Sequence, residues 1–163
     1  MNIRIHTAWR RLLPTIVVAL AACSAAPPKA VPARATLSVS QDANPDANGR
    51  ASPIVLRVYQ LQEEGTFKDV DFFALFEHER EVLGPSLLSR EEYALAPGEQ
   101  RELQLRLAPG VRYIGAAAAF RDIDNARWRA ISAAPKKSLT DILGKDHVTV
   151  RVERASVGIL IGD

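Results

Sequence analysis

Leu103, Leu105 and Leu107 alternate with Glu102, Gln104 and Arg106, and the tripeptides Ala96-Pro97-Gly98 and Ala108-Pro109-Gly110 close the run at both ends. A period of two puts every leucine on one face and every polar residue on the other, the mark of a half-buried strand. In each tripeptide proline presets φ for a turn and glycine accepts the positive φ that follows. A strand with one dry face has to be covered by a second layer, and the rest of the chain supplies strands for it. Leu37 and Val39 alternate with polar neighbours in Ala35 to Gln41. Ile54 to Leu61 is apolar and β-branched almost throughout, so it predicts a central strand buried on both faces. Arg90 onward, Val111 to Phe120, Arg127 to Ala133, His147 to Arg154 and Ser156 to Ile161 read as further strands.

The period changes once. Phe72, Leu75, Phe76 and Leu83 recur at helical spacing, which predicts one helix over Asp71 to Leu83, capped by Asp69 or Asp71 and ended by Gly84-Pro85. A second short turn is expected at Ser86 to Ser89, and a short helical or turn insert at Ser138 to Gly144. The expected fold is all-β: a two-sheet sandwich of about eight strands with a small helical insertion.

The N-terminus obeys different rules. Arg4, Arg10 and Arg11 precede a short apolar run, Leu12 to Ala22, that is interrupted by Pro14 and Thr15. Eleven residues fall well short of the ~20 that span a bilayer, so the segment reads as an export signal. It ends in Leu20-Ala21-Ala22-Cys23-Ser24, which holds the only cysteine. This stretch resembles the lipobox of bacterial lipoproteins, where the cysteine is diacylated and becomes the new N-terminus after cleavage. The expected organisation is a signal peptide over 1–22, acylated Cys23 with a proline-rich tether over 23–34, and one periplasmic sandwich domain over 35–163. Ser24 directly after the cysteine is, in such lipoproteins, compatible with release to the outer membrane.

Cleavage would leave 141 of the 163 residues and remove three of the 21 basic ones, so 18 bases face 19 acids with a net charge of −1. No basic field remains for nucleic acid. One cysteine permits no internal disulfide, so the core alone has to hold the domain.

Little in the sequence points to catalysis or metal binding. His78 and His147 are the only histidines after Cys23, and each reads as a solvated surface group. No nucleophile elbow is present, and no cofactor is implied. Asp122, Asp124 and Asn125 lack the glycine and distal glutamate of a calcium loop and read as an inter-strand turn. Arg121, Arg127 and Arg129 are expected in exposed ion pairs with these acids. Phe72, Phe73, Leu75 and Phe76 form either a docking ridge or the face that pins the helix, with Phe73 off the main stripe. Trp128 is expected in packing. The connection from Gln41 to Ser52 is about twice the length that neighbouring strands need. Its residues Asn44, Pro45, Asp46, Asn48, Gly49 and Arg50 are the candidates for recognition, the alternative being a solvated crossover.

Several stretches occur in one order behind Cys23: PIVLRVYQL (Pro53 to Leu61), DFFALF (Asp71 to Phe76), LAPGE (Leu95 to Glu99) and YIGAAAAFRDIDNARWRA (Tyr113 to Ala130). Together they resemble the TssJ family, outer-membrane lipoproteins of bacterial type VI secretion systems. The resemblance implies a transthyretin-like sandwich of two four-stranded sheets. It also implies a non-enzymatic role: binding the periplasmic C-terminal part of a TssM-like inner-membrane protein, which associates in turn with a TssL-like protein. In that family the loop between the first two strands is implicated in partner contact, which is Gln41 to Ser52 here. A different reading is a periplasmic carrier or chaperone lipoprotein, which would need an apolar pocket lined by Leu105 and Ile114. A hydrolase is the remaining alternative.

Cys23→Ser is expected to leave the exported sandwich folded while releasing it from membranes. Fractionation of the periplasmic and membrane pools checks this, and a variant that stays membrane-bound contradicts acylation at Cys23.

Overall fold

The computed structural model describes residues 29–135 and 147–162. The signal segment, Cys23 and the expected insert at Ser138 to Gly144 lie outside the described residues. The strands run β1 (Val31–Val39), β2 (Ile54–Leu61), β3 (Leu87–Leu95), β4 (Gln100–Leu107), β5 (Tyr113–Ala118), β6 (Arg129–Ala133), β7 (His147–Val152) and β8 (Val157–Ile161). Three short helices, α1 (Gly65–Asp69), α2 (Phe72–Glu77) and α3 (Glu79–Leu83), fall between β2 and β3. The fold is the expected one: two four-stranded sheets, ordered β4-β1-β7-β8 and β3-β2-β5-β6. All pairings are antiparallel except β1 with β7.

Alternation places the core. Ala33, Ala35, Leu37 and Val39 of β1, Leu105 and Leu107 of β4, and Val148, Val150 and Val152 of β7 point inward from one sheet. Ile54, Leu56 and Val58 of β2 with Ile114, Ala116 and Ala118 of β5 meet them from the other. Gln60 is buried, and both ends of its amide are used: Nε2 donates to the Arg106 carbonyl at 3.0 Å and Oε1 accepts from the Ala108 N–H at 2.7 Å. It therefore clips the end of β4 to β2, with no buried polar atom left unpaired.

β1 begins four residues earlier than the alternation indicates, because Pro32 reads as tether in the sequence. Proline lacks the N–H that a central strand must donate. Here Val31 to Ala33 pair only with β4, and pairing with β7 begins at Arg34, so this stretch is an edge in which proline is tolerated.

β2 is buried on its second face as well. Tyr59 and Leu61 point away from the sandwich core and are covered by one anchor from each short helix: Phe67, Leu75 and Leu83. Phe67 also fits over β5 because position 115 is glycine, where an added Cβ would come within 2.8 Å of the phenylalanine ring.

The single expected helix is broken at His78, whose φ of −128° and ψ of 32° leave the helical region. The cause lies on β2. Arg57 donates from Nη1 to the Phe76 carbonyl at 2.8 Å, occupying the acceptor that the N–H of Arg80 would need in a continuous helix. The same guanidinium stacks over the Phe76 ring at 4.2 Å and pairs with Glu92 at 2.7 Å and Glu79 at 3.4 Å. Arg90 closes the network on Glu79 and Glu92 at 2.8 and 2.9 Å. The Arg57 hydrogen bond holds the Glu92 carboxyl below the usual carboxylate range, and burial pushes the Tyr59 phenol up to about 12. α1 lies ahead of the expected helix, which starts at Asp71, and is not anticipated from the sequence.

Gly115→Ala is expected to destabilise the domain by about 1–3 kcal/mol through overpacking against Phe67. Chemical denaturation measures this, and Gly115→Ala combined with Phe67→Leu should recover part of the loss.

Candidate partner-binding site

The connection between β1 and β2 is strapped to every other loop at its end of the sandwich. The Ser40 N–H donates to the Val152 carbonyl at 2.8 Å, the Asn44 N–H donates to the Arg154 carbonyl at 3.0 Å, and the Ser40 carbonyl accepts from the Gly98 N–H at 3.2 Å. Ala43 is fully buried in the core.

Asn44, expected as a recognition residue, is 3% exposed and works inward. Its Nδ2 donates to the Pro53 carbonyl at 2.8 Å and its Oδ1 accepts from the Arg121 N–H at 2.7 Å. Its φ of 50° is left-handed, a region asparagine enters more readily than most residues. Asn44 thus fastens this loop to the connection between β5 and β6. It offers no free polar edge to a partner.

The tip is a small self-bonded turn. One Asp46 carboxylate oxygen accepts from the N–H groups of Asn48 and Arg50, each at 2.9 Å. The other accepts from Arg50 Nε at 2.9 Å and pairs with Nη2 at 2.8 Å. Backbone bonds from Asp46 N–H to the Arg50 carbonyl and from Gly49 N–H to the Asp46 carbonyl, both 2.8 Å, complete the turn, with Gly49 at φ 79°. The Arg50 backbone N–H, then its side chain, holds the Asp46 carboxyl below its ordinary range. The surface left for a partner is Ala47, Asn48, Gly49, the Arg50 side chain (76% exposed) and Ala51, with Pro45 half-buried beside them. The two alanines are missed by a search for polar residues. Only their place between turn residues marks them.

His78 is exposed at the helix break, as expected. His147 is half-buried, with Nε2 2.9 Å from Thr36 Oγ1 on the neighbouring strand, and so is not simply solvated. Asp122 and Asn125 form the expected inter-strand turn, joined at 2.9 Å. Among the described residues Arg121, Arg127 and Arg129 do not take the expected ion pairs; Arg129 instead donates to the carbonyls of Phe67 and Val70 and stacks on Trp128 at 4.6 Å. The reason is proximity, since α1 ends directly over β6 and offers unpaired carbonyls. Among the described residues, no three His, Cys, Asp or Glu side chains converge to hold a metal, and no helix is long and apolar enough to cross a membrane. Leu105 and Ile114 are packed at 1% and 0% exposure between the sheets rather than lining a pocket.

A family profile described as type VI secretion lipoprotein (VasD, EvfM, TssJ) matches residues 32–155. The chain belongs to this TssJ family. Among solved structures it is similar to the type VI lipoprotein TssJ1 from Pseudomonas aeruginosa. The identity is 30%, the TM-score 0.73, and the match covers 82% of this chain and 98% of that one. Lip from Serratia marcescens, described as a membrane-bound component of the type VI secretion system, matches at 27% identity and TM-score 0.69, covering 82% of this chain and 99% of Lip. A chain of a type VI membrane complex shares the fold at 21% identity and TM-score 0.66, over 79% of this chain and 97% of that one. No curated protein matches in sequence. The TssJ profile spans β1 into the turn before β8 and includes the whole β1–β2 loop.

Asp46→Ala is expected to loosen the loop tip with little effect on global stability. Faster amide exchange at Asn48 and Arg50, with the unfolding midpoint unchanged, is the expected result.

Proposed function

We propose that this TssJ-family lipoprotein is held on the periplasmic face of the outer membrane by acyl chains on Cys23. Its loop-bearing end binds the periplasmic C-terminal part of a TssM-like inner-membrane protein, and through it a TssL-like protein, to form an envelope-spanning structure. The role is mechanical and architectural, without turnover.

The observation that carries this reading is the direction of β1. The chain enters the sandwich at Val31, beside the turn after β4, and leaves β1 at Val39 into the strapped loop. The eight steps from Val31 to Val39 separate the two by about 26 Å. A tether attached before β1 therefore joins the end of the sandwich opposite the Ala47 to Ala51 tip, which leaves the tip free to reach away from the anchoring surface. That is the arrangement a bridge across a periplasm needs. A rigid, self-bonded tip also loses little conformational freedom on binding.

The test is capture of the purified periplasmic domain of the TssM-like protein from the same locus by the full-length, detergent-solubilised lipoprotein. Saturable binding is expected, weakened at least tenfold by the double change Asn48→Ala with Arg50→Glu. A wild-type chain that captures nothing would sink the reading.

A further inference from the structure

Phe73 is 60% exposed, one of two large apolar residues this open to solvent among the described residues. The other is Leu160 on β8, while Phe73 belongs to an aromatic cluster. Its ring lies edge-on to Phe72 at 5.4 Å, and Phe72 lies edge-on to Trp128 at 5.3 Å. The three aromatics line a groove between the start of α2 and the β5–β6 connection. Burial does not explain the position: Leu75 already pins α2 to β2 at 0% exposure.

The rim of this groove carries one sign of charge. Asp69, Asp71 and Asp124 are all exposed, and none has an ion-pair partner among the described residues. The cation that lines the groove, Arg129, donates to the carbonyls of Phe67 and Val70 and stacks on Trp128, and the three carboxylates outnumber it. Asp71 also caps α2 by accepting from the Ala74 N–H at 3.0 Å, which leaves its second oxygen outward. The exposed Phe73 ring, beside carboxylates that outnumber the one groove arginine, favours a cation with an apolar stem, through cation–π contact and charge pairing together. The groove borders the same β5–β6 connection that Asn44 ties to the partner loop, so one partner can cover both.

We infer that this groove is a second contact for the partner proposed above, and that it receives an exposed segment carrying arginine or lysine next to an apolar residue. The inference rests on that reading of the function and adds the chemistry of the contacting segment.

The experiment measures binding of the same purified TssM-like periplasmic domain to the full-length lipoprotein, at low and high salt. Phe73→Ser removes an exposed ring without opening the core. The triple variant D69N/D71N/D124N removes charge and keeps a good cap at position 71. Each is expected to weaken binding about tenfold at low salt, and the triple variant should lose most of the salt dependence. A photo-crosslinking residue in place of Phe73 should label a basic segment of the partner. If the wild type binds and neither variant differs from it, the groove assignment is overturned while the proposed function stands. Crosslinking only to a second copy of this chain also overturns it. If the wild type does not bind, both readings fall together.

Discussion

Strand β2 has no face toward water along most of its length, and the rest of the molecule is arranged around that constraint. One side closes the sandwich through Ile54, Leu56 and Val58, and the other has to be roofed because Tyr59 and Leu61 point outward. Three short helices form the roof, each contributing one buried anchor. No single long helix could bring Phe67, Leu75 and Leu83 onto the same small area while letting Arg57 reach a main-chain carbonyl. The helical insertion is thus a consequence of a strand too apolar to leave half-exposed. It also positions an acidic, aromatic corner next to the loop end.

The loop end owes its rigidity to ordinary turn chemistry used twice. Asn44 works inward, joining two connections that are 77 residues apart in sequence. Asp46 works locally, closing a turn over Arg50. Because both side chains are engaged, the exposed surface of the tip is made of small residues and one arginine on a fixed frame. Shape and backbone then set what the tip can recognise, with the Arg50 charge as the directional element. Protonation of Asp46 would remove the frame's ion pair. Its pKa is depressed in the folded state, so the contribution is present above the ordinary aspartate range and is lost as pH falls through the lowered value.

What the sequence discloses depends on how local the cause is. Alternation around Leu103 to Leu107, the continuous apolarity of Ile54 to Leu61 and the proline–glycine turns act within a few residues, so the strands and their layering are readable. The break at His78 is not readable, because its cause is an arginine on β2 rather than a helix breaker in the helix. Asn44 and Pro45 look like an exposed turn, and bonds to Pro53, Arg121 and Arg154, the last two far along the chain, make Asn44 a buried fastening. Arg129 looks like a partner for nearby aspartates, yet the carbonyls at the end of α1 reach it first. The loop's length marks the region proposed for contact, while the side chains exposed there depend on contacts no local pattern contains.

β1 is also the path along which any tension would run. It lies between β4 and β7, with ladders on both sides from Arg34 to Ser38. A pull on the tether at one end, opposed by a load on the loop at the other, acts parallel to the strand. Its inter-strand hydrogen bonds lie across that direction, so they are sheared together instead of being peeled one at a time. Gln60 and the straps at Ser40 and Asn44 spread the same load into the second sheet and the neighbouring turns. A sandwich threaded in this way resists extension far better than one whose two attachment points share an end, where a strand could be unzipped from its edge.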